Sequence, residues 1–193
     1  MFASERGLSV PEADYPRFIY GRRTREILVD YFKLSAGEAD QLIARGLDDK
    51  TDLVAQEGGL SEIPGAVDFV RASRSLGLRL AVASSASAPN VRLALRALGL
   101  LDQFDAVVTS GDVQRGKPSP DPYLEAARRL GVSPGNAVVF EDTTFGISAA
   151  HAAGARCVGI ATTLTRDQLS EADLVIDHFR DVDPAGVIRD LGA

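Results

Sequence analysis

The sequence predicts an α/β fold in which a parallel sheet is covered on both faces by helices, with a small unit built only of helices ahead of it. Three observations lead there. Five short apolar runs lie between residues 78 and 176 and alternate with segments of helical period. Those runs are apolar throughout instead of alternating, as strands buried on both faces are. Residues 1 to about 60, in contrast, carry helical periodicity and no convincing strand.

Each element has its own warrant. Between Arg22 and Phe32, the residues Ile27, Leu28, Tyr31 and Phe32 share one face. Ala39, Leu42 and Ile43 repeat the pattern, after Ser35 as an N-cap and before Gly46 as a stop. Glu62-Ile63-Pro64-Gly65 then breaks the pattern. The expected strands are Leu78 to Ala83, Asp105 to Thr109, Asn136 to Phe140, Arg156 to Ala161 and Ala172 to Ile176. Helices between them carry Val91, Leu95 and Leu98, then Tyr123, Ala127 and Leu130, then the small residues Gly146 to Ala153, with a last helix near Pro184 to Leu191. Leu78 to Ala83 and Asn136 to Phe140 are expected in a common sheet. The division is therefore residues 1–61 as a helical unit and 62–193 as the α/β core.

Composition narrows the function classes. The 27 acidic and 21 basic side chains give a net charge of −6 with no basic stripe, which argues against nucleic acid. No apolar run approaches the ~20 residues that span a bilayer, so no membrane partner is expected. Glu5 and Arg6 stand where a signal peptide needs an apolar core. The single cysteine, Cys157, cannot form an internal disulfide and fits a reducing cytoplasm. Only three basic residues are lysines (Lys33, Lys50 and Lys117), which makes each one worth inspecting.

In parallel α/β sheets the ligand site lies past the carboxyl ends of the strands. After the first strand come Ser84 and Ser85. After the second come Ser110, Gly111 and Asp112, and then Gly116-Lys117-Pro118. After the third come Glu141, Asp142, Thr143 and Thr144. Hydroxyls, one lysine and an acidic pair on one edge suit a phosphate group, with the carboxylates placed to hold Mg²⁺. Each element also has a plainer reading. Ser84-Ser85 could cap the next helix, Lys117 could be a solvated charge, Glu141-Asp142 could serve a helix start, and Thr143 could itself be the cap. The joint pattern favours the site.

The run of strand-Ser84-Ser85, Gly116-Lys117-Pro118-x-Pro120-Asp121 and Phe140-Glu141-Asp142-Thr143-x-x-Gly146-Ile147-x-Ala149-Ala150-x-x-Ala153-Gly154 resembles the haloacid dehalogenase-like hydrolases. The nearest subgroup is that of the β-phosphoglucomutase-like phosphatases and phosphomutases, with a helical cap on a Rossmann-like core. The resemblance covers nearly the whole chain. It implies that Ser84, with Ser85 beside it, binds the transferring phosphoryl group and that Lys117 neutralises its charge. It implies further that Glu141 and Asp142 position Mg²⁺. In the cap, Gly21-Arg22-Arg23-Thr24-Arg25 places three arginines at a helix start, against its dipole. The resemblance implies that this part faces the substrate, so Arg22, Arg23 or Arg25 would touch a phosphosugar; a solvated basic turn is the plainer reading. His151 and His178 are isolated and read as structural, Cys157 as a small buried hydrophobe, and Gly146, Ala149, Ala150 and Ala153 as allowing close helix–sheet packing.

The family's remaining motif, Asp-x-Asp at the end of a first core strand, has no counterpart in this sequence. Asp48 and Asp49 are adjacent and follow no apolar strand. The first aspartate of that motif attacks phosphorus and the second acts as acid and base. Two explanations stand: an incomplete form of an active enzyme, or a relative without its nucleophile. The resemblance places the absent strand centrally in the sheet. A monomer is expected for a complete form, and pairing of exposed strand edges for this one. The leading expectation is a Mg²⁺-dependent phosphatase or phosphomutase on a small phosphorylated metabolite, the chain as given being inactive. A non-catalytic phosphometabolite-binding module is the alternative. A dehalogenase is disfavoured by Glu141-Asp142, since attack on carbon needs no metal.

Overall fold

The computed structural model describes residues 9–44 and 61–192. Gly46, Asp48 and Asp49 lie outside the described residues.

In the helical part, α1 (Thr24–Glu26) runs directly into a π-helical turn, Ile27–Tyr31, and is followed by α2 (Ala36–Leu42). Ser35 caps α2 as expected. Its hydroxyl accepts from the Glu38 N–H while the Glu38 carboxylate accepts from the Ser35 N–H, a reciprocal capping box. Leu28, Ala39 and Leu42 form a separate small core, with Val29, Phe32, Leu34 and Ile43 packed around it. The expected apolar stripes therefore pack on each other.

The remaining residues alternate strand and helix. The helices are α3 (Ala66–Ser75), α4 (Ala88–Ala97), α5 (Asp121–Leu130), α6 (Thr144–Ala153) and α7 (Pro184–Leu191). The strands are β1 (Ala81–Ala83), β2 (Ala106–Val108), β3 (Val138–Glu141), β4 (Arg156–Ile160) and β5 (Leu174–Ile176). Every expected run contains one strand, trimmed at its ends, except that β3 runs one residue further, to Glu141. All the pairings are parallel. Helices α5 and α6 pack together on strands of both sheets, whereas α3 packs on α7 and on the turn Phe179–Asp181.

One expectation is corrected. Leu78 to Ala83 and Asn136 to Phe140 do not share a sheet: β1 pairs with β2, and β3, β4 and β5 form a second sheet in that order. No backbone hydrogen bond joins β1 to β3 among the described residues. Between them lies a cavity of about 610 Å³, bounded by Ala81 and Ala83 of β1, Val138 and Phe140 of β3, Phe69 of α3 and Ala126 of α5. A ladder needs neighbouring strands ~4.8 Å apart. The two edges do not pair, and residues of α3, α5 and α7 line the space between them.

The main core joins Ile147, Ala149 and Ala150 of α6 to Cys157 of β4, Tyr123, Leu164 and Leu169. Ile147 is 1 % exposed. Ile147→Ala is expected to lower stability by about 2–5 kcal/mol, read as a reduced urea midpoint at unchanged slope.

Candidate active site

The carboxyl ends of β1 and β3 meet at Lys117 and Glu141. Glu141 closes β3 with its side chain turned inward, and Lys117 follows the loop that leaves β2, its bond to Pro118 being cis. Both side chains are 7 % exposed and form an ion pair. Lys117 Nζ also donates to the Ala83 carbonyl at the end of β1, at 3.3 Å, and lies 5.1 Å from the Tyr123 ring centroid.

A buried carboxylate needs its lone pairs occupied. Glu141 Oε1 accepts from Lys117 and from the Tyr123 hydroxyl; Oε2 accepts from the Asp142 N–H and the Thr143 hydroxyl at 3.2 Å each. Burial, and then the neighbouring Glu141 charge, push the Tyr123 hydroxyl well above its ordinary value, so it stays a neutral donor. Thr143 has a second task. It is the N-cap of α6, its Oγ1 accepting from the Gly146 N–H at 3.1 Å. Of the plainer readings, Thr143 as the cap is therefore the one observed.

Gly146 has a stricter reason than close helix packing. A Cβ at this position would run into the Glu141 carboxylate. The first turn of α6 is open there because a charged side chain lies across it. Tyr123 and Gly146 are site residues that sequence reasoning read as core and packing. The signal for Gly146 was its place five residues after Glu141 in the run that carries the family resemblance; nothing in the sequence marked Tyr123.

The other expected residues divide. Ser84 sits at the end of β1 beside Ala83, its N–H donating to Val108 and its hydroxyl accepting from the Ala86 N–H at 3.1 Å. It does not cap α4, whose N-cap is Ser87. Ser85 donates its hydroxyl to the Gly21 carbonyl at 2.6 Å. Gly21, with φ +76°, leaves no room for a side chain, since a Cβ would stand 2.6 Å from Thr143 Oγ1. Asp142 accepts from the Thr163 hydroxyl. Arg22 pairs with Asp30, and its guanidinium lies 5.8 Å from the Phe145 ring centroid. Arg25 pairs with Asp40 at 2.6 Å inside the helical part, half exposed. Ser84, Ser85, Lys117, Glu141 and Asp142 are thus gathered at the strand ends and Arg22 lies close by; no contact joins Arg25 to them.

Glu141 and Asp142 supply hard oxygen donors at one strand end, the chemistry that Mg²⁺ takes. Among the described residues no group of three His, Cys, Asp or Glu side chains is gathered to hold a metal. Asp142, which among the described residues accepts only from the Thr163 hydroxyl, fits as one ligand of an octahedral shell to be completed by water and phosphate oxygens. Glu141 would join it only by giving up one of its four donors. Asp112, the other carboxylate near this edge, is structural. It accepts from the N–H and hydroxyl of Thr109 and from Arg129, which lower its pKa to about 2.

Comparisons with known proteins identify the family. Residues 3–154 match the haloacid dehalogenase-like hydrolase family. Validoxylamine A 7'-phosphate phosphatase from Streptomyces hygroscopicus subsp. limoneus is 34 % identical over 173 residues, which is 86 % of this chain and 78 % of that protein. Protein CbbY from Cereibacter sphaeroides is 37 % identical over 130 residues, 65 % of this chain and 56 % of its own length. The structure of a mutant CbbY from Rhodobacter sphaeroides in complex with Xylulose-(1,5)bisphosphate superposes with a TM-score of 0.80 at 28 % identity, over 96 % of this chain and 87 % of that one.

Two stability tests follow from this packing. Lys117→Met leaves Glu141 buried without its cation and is expected to cost about 3–5 kcal/mol. Adding Glu141→Gln removes the orphaned charge, so the double variant should regain stability in urea unfolding; a double variant no better than the single one would contradict the buried pair. Asp112 has a folded pKa depressed to about 2 from 3.8. Its stabilisation is present above pH ~4 and lost as the pH falls towards 2. The stability gap between the wild type and Asp112→Asn should accordingly narrow between pH 5 and pH 2.5.

Proposed function

The chain belongs to the haloacid dehalogenase-like hydrolases, and from that premise we propose that it is built for Mg²⁺-dependent phosphoryl transfer on a small phosphorylated metabolite, a sugar phosphate, as a phosphatase or phosphomutase. The observation that carries this reading is the meeting of Lys117, Glu141, Asp142 and Ser84 at the ends of β1 and β3. The names of the relatives support the substrate class, since one acts on a phosphorylated validoxylamine and another was crystallised with a sugar bisphosphate.

The roles follow from charge and reach. Ser84, whose hydroxyl only accepts among the described residues, has its hydrogen to offer to a phosphoryl oxygen; Ser85 would do so only on releasing the Gly21 carbonyl. Lys117 neutralises the charge those oxygens develop, in a site already shielded from water, where such a cation acts most strongly. Arg22 is assigned to the remainder of the phosphosugar, and Arg25 would join it only on leaving Asp40. Asp142, with Glu141, would hold Mg²⁺, which supplies further positive charge to the transferring group. In this family an aspartate carboxylate attacks phosphorus, the bond to the leaving oxygen breaks, and water later hydrolyses the aspartyl phosphate. Among the described residues, no aspartate or glutamate lines the cavity between β1 and β3, and the one carboxylate at their ends, Glu141, is held by Lys117. That nucleophile is assigned to a further strand seated in the cavity between those two strands, and the 193 residues alone are read as inactive.

The same gap supports a second reading, a module that binds a phosphometabolite without turning it over. We place the protein in the cytoplasm, without nucleic acid or membrane partners; no helix of the described residues is long and apolar enough to cross a membrane. We assign a monomer once the cavity holds a strand, and pairing through the β1 and β3 edges while it does not.

The test is phosphate release from a panel of sugar phosphates, with and without EDTA. The 193-residue chain should stay at background. A version with an apolar strand ending in Asp-x-Asp fused ahead of residue 1 should turn over with Mg²⁺. In that version Lys117→Ala should remove most of the rate, and Asp142→Ala should weaken both rate and metal dependence. Robust metal-dependent release from the 193 residues would overturn the nucleophile assignment; silence of the fused version across the panel would favour the binding module.

A further inference from the structure

The loop from β2 to Lys117 is held by two side chains of a different element. Arg23, the N-cap residue of α1, donates from Nη1 to the carbonyls of Ser110 and Val113 at 3.3 and 3.2 Å, and from Nη2 to the Gln114 carbonyl at 2.8 Å. Its Nε and Nη2 also pair with Glu26 Oε1 at 2.9 and 2.6 Å. The same Oε1 accepts the Gly116 N–H at 2.9 Å. One arginine–glutamate pair therefore satisfies three carbonyls and one amide of a single loop. The fit is close: a Cβ at Gly116 would lie 2.8 Å from both Arg23 Nε and Glu26 Oε2. Glu26 Oε2 is buried, and no described residue bonds to it.

We propose that Arg23 and Glu26 are positioning residues that make the placement of Lys117 depend on the seating of segment 21–26 over the strand ends. Lys117 directly follows Gly116, the last loop residue that the pair holds. The segment touches each strand end that builds the site: Gly21 meets Ser85 after β1 and Thr143 after β3, while Arg23 and Glu26 hold the loop after β2. The planar guanidinium presents several donors in a fixed fork, so its bonds to the loop form and break together. Lifting the segment frees four loop groups at once and removes the restraint on the N-terminal side of Lys117. Such an opening is local and leaves the helix and strand core closed. The inference stands on contacts alone and does not need the phosphoryl reading.

Lysine scarcity makes the test direct, since Lys33, Lys50 and Lys117 are the only side-chain amines and the α-amino group is told apart from them by peptide mass. The 193-residue chain is treated with an acetylating reagent and acetylation of Lys117 is timed by mass spectrometry. In parallel the reactivity of Cys157, buried in the main core, reports global opening. Arg23→Gln and Glu26→Ala should each raise the Lys117 rate about fivefold or more, the scale of one net hydrogen bond, with Cys157 unchanged. Glu26→Gln keeps an acceptor for the Gly116 N–H and should raise it less than Glu26→Ala. An unchanged Lys117 rate, or Lys117 and Cys157 rising together, would overturn the proposal. A measurement without variants covers the case in which these substitutions unfold the chain. In the wild type, hydrogen exchange of the Gly116 amide should follow the Lys117 acetylation rate and exceed that of Val158 in β4. Gly116 exchanging only at the Val158 rate would equally overturn it.

Discussion

Two opposite charges have been taken out of water together at the ends of β1 and β3, and the surrounding architecture answers to them. Burying a lysine and a glutamate is costly unless each finds its partner and the remaining lone pairs are occupied. Glu141 meets that condition with four donors drawn from the loop after β2, from α5 and from the start of α6. Position 146 must be without a side chain, Tyr123 must present a hydroxyl, and Thr143 must serve helix and carboxylate at once. The β2 loop must deliver Lys117 to the same point. Several elements are thus fixed by one electrostatic requirement.

Much of the fold was legible because it follows from local rules. The apolar runs mark the strands, since a strand covered by helices on both faces has no polar side to show. Ser35 and Glu38 stand at capping-box spacing, and the box forms. At the site, Ser84, Lys117, Glu141 and Asp142 were visible as polar residues where apolar runs end. What the pattern could not show was direction. Three arginines at the start of α1 look alike in sequence, yet Arg23 grips the core while Arg22 and Arg25 pair with Asp30 and Asp40. Tyr123 lies at a helical-period position shared with Ala127, so its apolar ring masks the hydroxyl that reaches Glu141.

The separation of the two sheets was the less legible feature, because strand runs report burial and not neighbours. Hydrogen-bonded ladders do not bridge the gap; α5 does, packing on β1 and β2 and on α6, which in turn covers β3 and β4. Side-chain packing therefore keeps the halves together where backbone pairing cannot. The cavity walls, with Phe69 and Phe140 on one side and Ala126 on another, are mainly apolar and uneven in size. A mainly apolar slot between two unpaired strand edges is a template for an extended apolar segment.

Arg23 reads the β2 loop through its carbonyl oxygens, and Glu26 through an amide, groups that every residue other than proline carries alike. The side chains of Ser110, Val113 and Gln114 take no part in that grip, so substitutions there leave it intact. An inserted or deleted residue would shift which carbonyls face the guanidinium and break the register. At those three positions the loop is therefore free to diversify in chemistry but not in length, and their side chains can be retuned towards different ligands while Asp112, Gly116 and the scaffold beneath keep the spacing.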